Sequence, residues 1–146
     1  MYKRLRIEHL ERCIGCYQCS LACARVVERV ISLDRSSIRV KTLGGYSSGS
    51  FAVVVCRGCI DPPCFPVCPI DGAIKPRKGG GVLINRKSCD ASQCHQECVR
   101  ECPIPGAIHV DSELNNAVVC RQCGTCVKHC PTGVLIMEEV GIKQGY

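Results

Sequence analysis

Sixteen cysteines dominate the chemistry of this 146-residue chain, and they fall into four groups of four with none left over. Cys13, Cys16, Cys19 and Cys23 read C-x2-C-x2-C-x3-C, and Cys120, Cys123, Cys126 and Cys130 repeat that spacing before Pro131. Between them, Cys56, Cys59, Cys64 and Cys68 read C-x2-C-x4-C-x3-C before Pro69, while Cys89, Cys94, Cys98 and Cys102 read C-x4-C-x3-C-x3-C before Pro103. Thiolates are soft ligands, and three of them at three-residue intervals can wrap a tight loop around three iron corners of a 4Fe-4S cube. The fourth corner faces away from that loop. A cysteine four residues after the third lies one helical turn further on, better placed for a second cube. The proline beside it has no N–H to donate and restricts its predecessor, so the chain is redirected there. Two such groups therefore exchange fourth cysteines and hold two clusters close together. Spacing leaves open which groups exchange: one with two and three with four, or one with four and two with three.

Other uses of cysteine fit less well. A short secreted chain this rich in Cys would be read as a disulfide scaffold. Residues 1–12 instead carry Lys3, Arg4, Arg6, Glu8, Glu11 and Arg12, with no apolar signal region and no twin-arginine motif, so a cytoplasmic protein is expected. No apolar run approaches the roughly 18 residues of a membrane span. Structural zinc sites build one tetrahedron from two separated Cys-x2-Cys knuckles and rarely show three cysteines at successive three-residue steps before Cys-Pro. Group three, which lacks a Cys-x2-Cys start, departs furthest from the iron–sulfur pattern. His95 and His129 lie inside cysteine groups and are read as surface residues beside the clusters; His9 and His109 have less to recommend them. Asp61, Asp71 and Asp90 are read as turn formers. No C-x3-C-x2-C radical-SAM motif and no catalytic apparatus accompany the cysteines, so no enzyme activity is expected of the chain itself.

The elements that must position these loops are short. After three groups the chain continues in similar words: Cys68-Pro69-Ile70-Asp71-Gly72-Ala73-Ile74, Cys102-Pro103-Ile104-Pro105-Gly106-Ala107-Ile108 and Cys130-Pro131-Thr132-Gly133-Val134-Leu135. This internal repeat predicts a glycine turn followed by a strand over the clusters. Strands are expected near Val82–Ile84, Ala107–Val110, Ala117–Val119 and Val134–Met137. The spacer from Ala24 to Val55 reads as a hairpin of 37–42 and 51–55 around a Gly/Ser-rich surface loop, preceded by a helical continuation over 25–33 with Val26, Val27, Val30 and Ile31 on one face. The whole predicts an α+β chain of two ferredoxin-like units wrapped around iron–sulfur clusters, one made of 1–36 with 111–146 and the other of 37–110. No Trp and only two Phe are present. Inorganic cubes fill the volume that aromatic rings fill elsewhere and supply folding free energy, so the iron-free chain is expected to be largely unfolded.

The chain resembles the four-cluster, polyferredoxin-type electron-transfer subunits of multisubunit molybdenum or tungsten pterin oxidoreductases. The likeness is most specific over 55–69, Val-Cys-Arg-Gly-Cys-Ile-Asp-Pro-Pro-Cys-Phe-Pro-Val-Cys-Pro, and recurs in Cys13-Ile14-Gly15-Cys16-Tyr17-Gln18-Cys19. Groups three and four depart from the family in spacing, and the short fourth group is most similar to small subunits of tungsten enzymes of the aldehyde oxidoreductase type. The resemblance implies four 4Fe-4S clusters and a nested pairing. Cys13, Cys16 and Cys19 would share one with Cys130; Cys120, Cys123 and Cys126 would take Cys23. Cys56, Cys59 and Cys64 would take Cys102, and Cys89, Cys94 and Cys98 would take Cys68. It also implies a large catalytic oxidoreductase partner at one end and ferredoxin or another carrier at the other. A free-standing polyferredoxin shuttle and a zinc-structured interaction module are the alternative readings.

A formal charge of +6 would ordinarily raise nucleic acid or an acidic membrane as a partner. Sixteen thiolates and four oxidised cubes of about +2 each would leave the loaded protein near −2. Neither nucleic acid nor membrane insertion is therefore expected, and the 19 Lys and Arg serve as counter-charges to buried anionic clusters.

Overall fold

Charge sets the register of the first strand. In β1, Tyr2–Ile7, the side chains of Arg4 and Arg6 flank buried Leu5 on the opposite face, and Lys3 is exposed. Its antiparallel partner β8, Leu135–Val140, sets Glu138 opposite Arg4 and Glu139 opposite Lys3. Arg4 Nε lies 2.5 Å and Arg6 Nη1 3.2 Å from the Glu138 carboxylate, an arrangement of cross-strand opposite charges that favours this register over a slip. The structure, a computed structural model, describes residues 2–44 and 50–141.

Three more two-stranded antiparallel sheets follow: β2 with β3 (Arg39–Thr42, Phe51–Val54), β4 with β5 (Ile74–Pro76, Val82–Ile84) and β6 with β7 (His109–Asp111, Asn116–Val118). The expected strands are thus present with ends displaced by at most three residues. β1 was not expected from the sequence. The Gly/Ser-rich loop falls largely on 45–49, outside the described residues.

The repeated glycine turn recurs in space. Gly72, Gly106 and Gly133 all have positive φ, and the N–H groups of Ala73 and Ala107 donate to the carbonyls of Ile70 and Ile104 at 3.3 and 3.1 Å. The residues that follow, Ala73, Ile74, Ala107, Ile108, Val134 and Leu135, are all buried. Of these, Ile74, Ile108, Val134 and Leu135 join Leu5, Ile38, Val55, Val82 and seven cysteines in one core. Together the short strands and short helices make an α+β, ferredoxin-like architecture.

Helices α1 (Gln18–Cys23), α2 (Glu97–Glu101) and α3 (Thr125–His129) each start after a left-handed residue, Tyr17, Gln96 and Gly124. Each carries the third cysteine of its group and ends at or beside the fourth, one turn on. Group two has no helix there. Pro62, Pro63 and Pro66 lack N–H donors, so this segment makes turns closed by Phe65 N–H to Pro62 O at 3.2 Å.

The helical continuation expected over 25–33 is corrected. After α1 the chain makes one π-helical turn, Ala24–Glu28, and stops at Arg29, which is left-handed at φ 57° and donates to the Ala24 carbonyl. Bonds five residues apart displace the i, i+3, i+4 face. Val27 consequently packs on the core while Val26 and Ile31 are exposed. Glu28, its side chain buried, pairs with Arg86. Ser20 and Ser36 both donate to the Ile38 carbonyl, at 2.8 and 2.7 Å, fastening α1 to the entry of β2.

Candidate iron–sulfur centres

All sixteen cysteines are free thiols. Cys13, Cys16, Cys19 and Cys130 line one apolar cavity with Ile14, Val40, Val53 and Leu135. Cys23, Cys120, Cys123 and Cys126 line a second, with Leu5, Val27 and Ile38. In each, three cysteines come from one loop and the fourth from a loop more than ninety residues away in sequence. Among the remaining eight, thiols of groups two and three act on one another's charge. Burial raises Cys56, and the nearby thiolates adding to that effect are Cys59 and Cys102. Burial also pushes Cys64 up to about 12, with Cys56 and Cys102 as the leading charged neighbours. Cys98, pushed up to about 11 by burial, has Cys68, Cys89 and Cys94 around it.

These thiols are costly to ionise alone. Burial, and then the charge of neighbouring thiolates, pushes Cys19 up to about 11 and Cys126 to about 12, and raises Cys120 and Cys89 as well. A cationic core bound among them reverses that balance, because a coordinated thiol is deprotonated outright. Cys130 differs. Burial raises it too, but the N–H groups of Val134, Thr132 and Gly133 and the Thr132 hydroxyl outweigh the effect and hold it below the ordinary thiol value.

The donors around the sulfurs fit a cluster. Backbone N–H groups of Gly58, Gln122, Gln96 and Val134 reach Cys56, Cys120, Cys94 and Cys130 Sγ at 3.5, 3.3, 3.4 and 3.3 Å. Such bonds stabilise thiolate charge and tune potential. Among the described residues no three His, Cys, Asp or Glu side chains converge closely enough to hold one metal ion.

Group three owes its spacing to a local turn. The extra residues after Cys89 form a 3-10 turn, Ala91–Gln93, capped by Asp90, whose carboxylate accepts from Ser92 N–H at 3.0 Å. That is the turn-forming role expected of Asp90. The β6–β7 turn then closes over this group: Asn116 Nδ2 donates to the Cys89 carbonyl at 2.6 Å and Ala117 N–H to Cys89 Sγ at 3.4 Å. Neither Asn116 nor Gln122 was singled out in the sequence. A polar residue next to a ligand or turn is too common a signal to isolate before its burial is known. His95 and His129 are exposed, as expected of surface residues.

A 4Fe-4S dicluster domain matches residues 48–140. The chain belongs to the 4Fe-4S dicluster domain family. This dicluster domain protein is 32% identical over 142 residues to the beta chain of the NADH-dependent phenylglyoxylate dehydrogenase of Aromatoleum evansii, covering 89% of this chain and 30% of that one. It is 27% identical over 144 residues to a tetrathionate reductase subunit of Salmonella typhimurium, with coverage of 90% and 56%. It is 31% identical over 164 residues to the electron transport protein HydN of Escherichia coli, with coverage of 93% and 88%. The dicluster domain chain thus spans less than two thirds of the first two relatives and most of the third. Two of these relatives are named as oxidoreductase subunits, and the third as an electron transport protein.

Proposed function

We propose that the chain is a non-catalytic electron-transfer subunit that relays electrons through four 4Fe-4S clusters between a catalytic oxidoreductase partner and an external carrier. The observation that carries this reading is the crossed lining of the two cavities, where Cys130 joins Cys13, Cys16 and Cys19, and Cys23 joins Cys120, Cys123 and Cys126. Gln122, bonded to both Cys120 Sγ and the Cys56 carbonyl, brings the loop of Cys56 beside the second set. We read the row as Cys13/16/19/130, then Cys23/120/123/126, then Cys56/59/64/102, then Cys68/89/94/98. When bound, each cluster would supply one reversible one-electron centre. The chain's own part is to hold these sulfurs, donate N–H groups to them and exclude water. Tunnelling weakens steeply with distance, so a row of close centres carries charge where one long step would not.

Two units go with this reading, each holding two sets. Pairing of β1 with β8 favours joining the termini in one unit. Val40 and Val53 line the first cavity, which favours counting the β2–β3 hairpin with that unit. The bonds from Asn116 and Ala117 to Cys89 favour counting β6–β7 with the other. Relatives named as subunits of a reductase and a dehydrogenase support a large catalytic partner, which we take to be a molybdenum or tungsten pterin enzyme, with ferredoxin or a similar carrier at the other end. The name of the electron transport protein HydN favours the second reading, a free shuttle. A cytoplasmic location goes with either, since iron–sulfur proteins are assembled there; among the described residues no helix is long and apolar enough to cross a membrane.

Anaerobic purification tests the proposal. About sixteen irons per chain, visible absorption that bleaches on reduction and a co-purifying pterin-containing subunit are expected. Zinc without iron in the fresh protein would end it, and a fully loaded chain that always purifies alone would favour the shuttle.

A further inference from the structure

We propose that Gln122 is the positioning residue of the central junction, the place where the Cys120 set meets the Cys56 set. The inference rests on the four-cluster reading and adds to it a residue that belongs to no ligand set.

The position is unusual before its contacts are considered. Gln122 precedes the second cysteine of its group, as Gly15 and Gly58 do in groups one and two, and all three are left-handed, at φ 59°, 68° and 66°. Only at 122 does this backbone carry a side chain, which the left-handed region disfavours. A residue kept in a disfavoured conformation where its counterparts are glycine points to a role for that side chain.

The side chain is 3% exposed and both ends of its amide are used. Oε1 accepts the N–H of Leu5 in β1 at 2.6 Å, and Nε2 donates to the carbonyl of Cys56 at 3.1 Å. Its own backbone N–H donates to Cys120 Sγ at 3.3 Å. One residue thus ties together the strand that joins the termini, the loop of Cys56 and the loop of Cys120. Gly58 and Gly81 lie beside it: a Cβ on either would stand in ordinary contact with the Gln122 side chain, at 3.4 Å from Cδ and 3.7 Å from Cγ. With its amide on the Cys56 carbonyl and its backbone N–H on Cys120 Sγ, Gln122 bridges the two loops directly. In the proposed row this is the junction that crosses from one unit to the other. Electron passage there moves one electron and breaks no bond.

Gln122→Gly and Gln122→Glu test this in the intact, loaded chain. Glycine is the residue of the equivalent loops, so this variant relieves the backbone and removes only the clamp. Iron is counted first in the unsubstituted protein; a content far below about sixteen would refute the four-cluster reading and with it the premise. With that content met, Gln122→Gly is expected to keep its iron while the spin–spin interaction between the two central clusters in the fully reduced protein weakens. Gln122→Glu sets a carboxylate against the Cys56 carbonyl and is expected to lower the potentials of the two central clusters while the outer two stay unchanged. The proposal is overturned if Gln122→Gly leaves the reduced-state spin interaction unchanged. It is equally overturned if iron is lost evenly from all four sets, or if Gln122→Glu shifts all four potentials alike.

Discussion

Paired substitutions distinguish the crossed sets from locally built ones. In the crossed arrangement Cys13 and Cys130 face one cavity while Cys23 faces another. A cluster that loses two of its four thiolates has too few ligands to persist, so Cys13→Ala with Cys130→Ala should remove one cluster. Iron should fall from about sixteen to about twelve per chain, since each cube holds four. Cys13→Ala with Cys23→Ala strips one thiolate from each of two clusters. Both should then be disturbed, either lost, which leaves about eight irons, or converted to three-iron forms with their own paramagnetic signature. If each group held its own cluster, the two results would be interchanged. Alanine is chosen because it leaves no new polar group in cavities lined by Ile14, Val40, Val53 and Leu135. Two ligands of one set act as a unit, so the first pair should also be strongly non-additive, the second substitution costing little once the first is made. The assay is total iron per chain on anaerobically purified protein, with electron paramagnetic resonance of the reduced and oxidised forms to count the centres affected. Loss of a single cluster in the Cys13/Cys23 variant, beside two disturbed clusters in the Cys13/Cys130 variant, would refute the crossed sets and the end-to-end order built on them.

Two further predictions concern the polar seams. Arg35 Nε lies 3.0 Å from the carboxylate of Asp111, whose side chain is 7% exposed, and its guanidinium also pairs with exposed Glu113. Arg35→Met leaves a buried charge with only the N–H groups of Glu113 and Leu114, so a loss of about 3 kcal/mol is expected, read by anaerobic denaturant unfolding; adding Asp111→Asn should restore part of it, and no restoration would count against the ion pair. His109 Nε2 lies 2.7 Å from the Asp34 carbonyl, which can only accept, while its Nδ1 is buried without a partner. Burial and the Arg39 cation hold its pKa below the usual histidine value, although the Asp34 carbonyl and the carboxylates of Asp111 and Asp34 oppose them. The unfolded chain therefore takes up this proton first, so stability is full above about 6.5 and is lost as pH falls below it toward the lower folded value. His109→Gln should flatten that part of the stability profile, and an unchanged slope would overturn the assignment.

What was legible along the chain was what neighbouring residues decide. The spacing of Cys19 to Cys23, Cys98 to Cys102 and Cys126 to Cys130 is a property of one helical turn, and helices appear at all three, whereas Cys64 to Cys68, equally spaced, makes turns around Pro66 instead. The Pro-x-x-Gly-like words after three groups encode one turn, and that turn recurs. The hairpin of 39–42 with 51–54 was visible in its β-branched run and turn residues. The π-helical turn was not legible, because the bonds made by Arg29 and Val30 to Ala24 O compete with ordinary helical ones by amounts that no local pattern reveals. Nor was β1. Its charges spoke only against an apolar signal region until Glu138, 134 residues away, was placed opposite Arg4.

The sequence by itself determined the ligand type, the grouping in fours and the absence of an aromatic core, because cysteine content and spacing are covalent facts. It left two exchange schemes open. Only the tertiary structure decided that Cys130 lines a cavity with Cys13 and Cys23 another with Cys120, and that Gln122 lies between the loops of Cys56 and Cys120. These are contacts between segments far apart in the chain. They depend on the pairing of β1 with β8 and on the packing of glycine-lined loops, and no spacing rule within a single group contains that information.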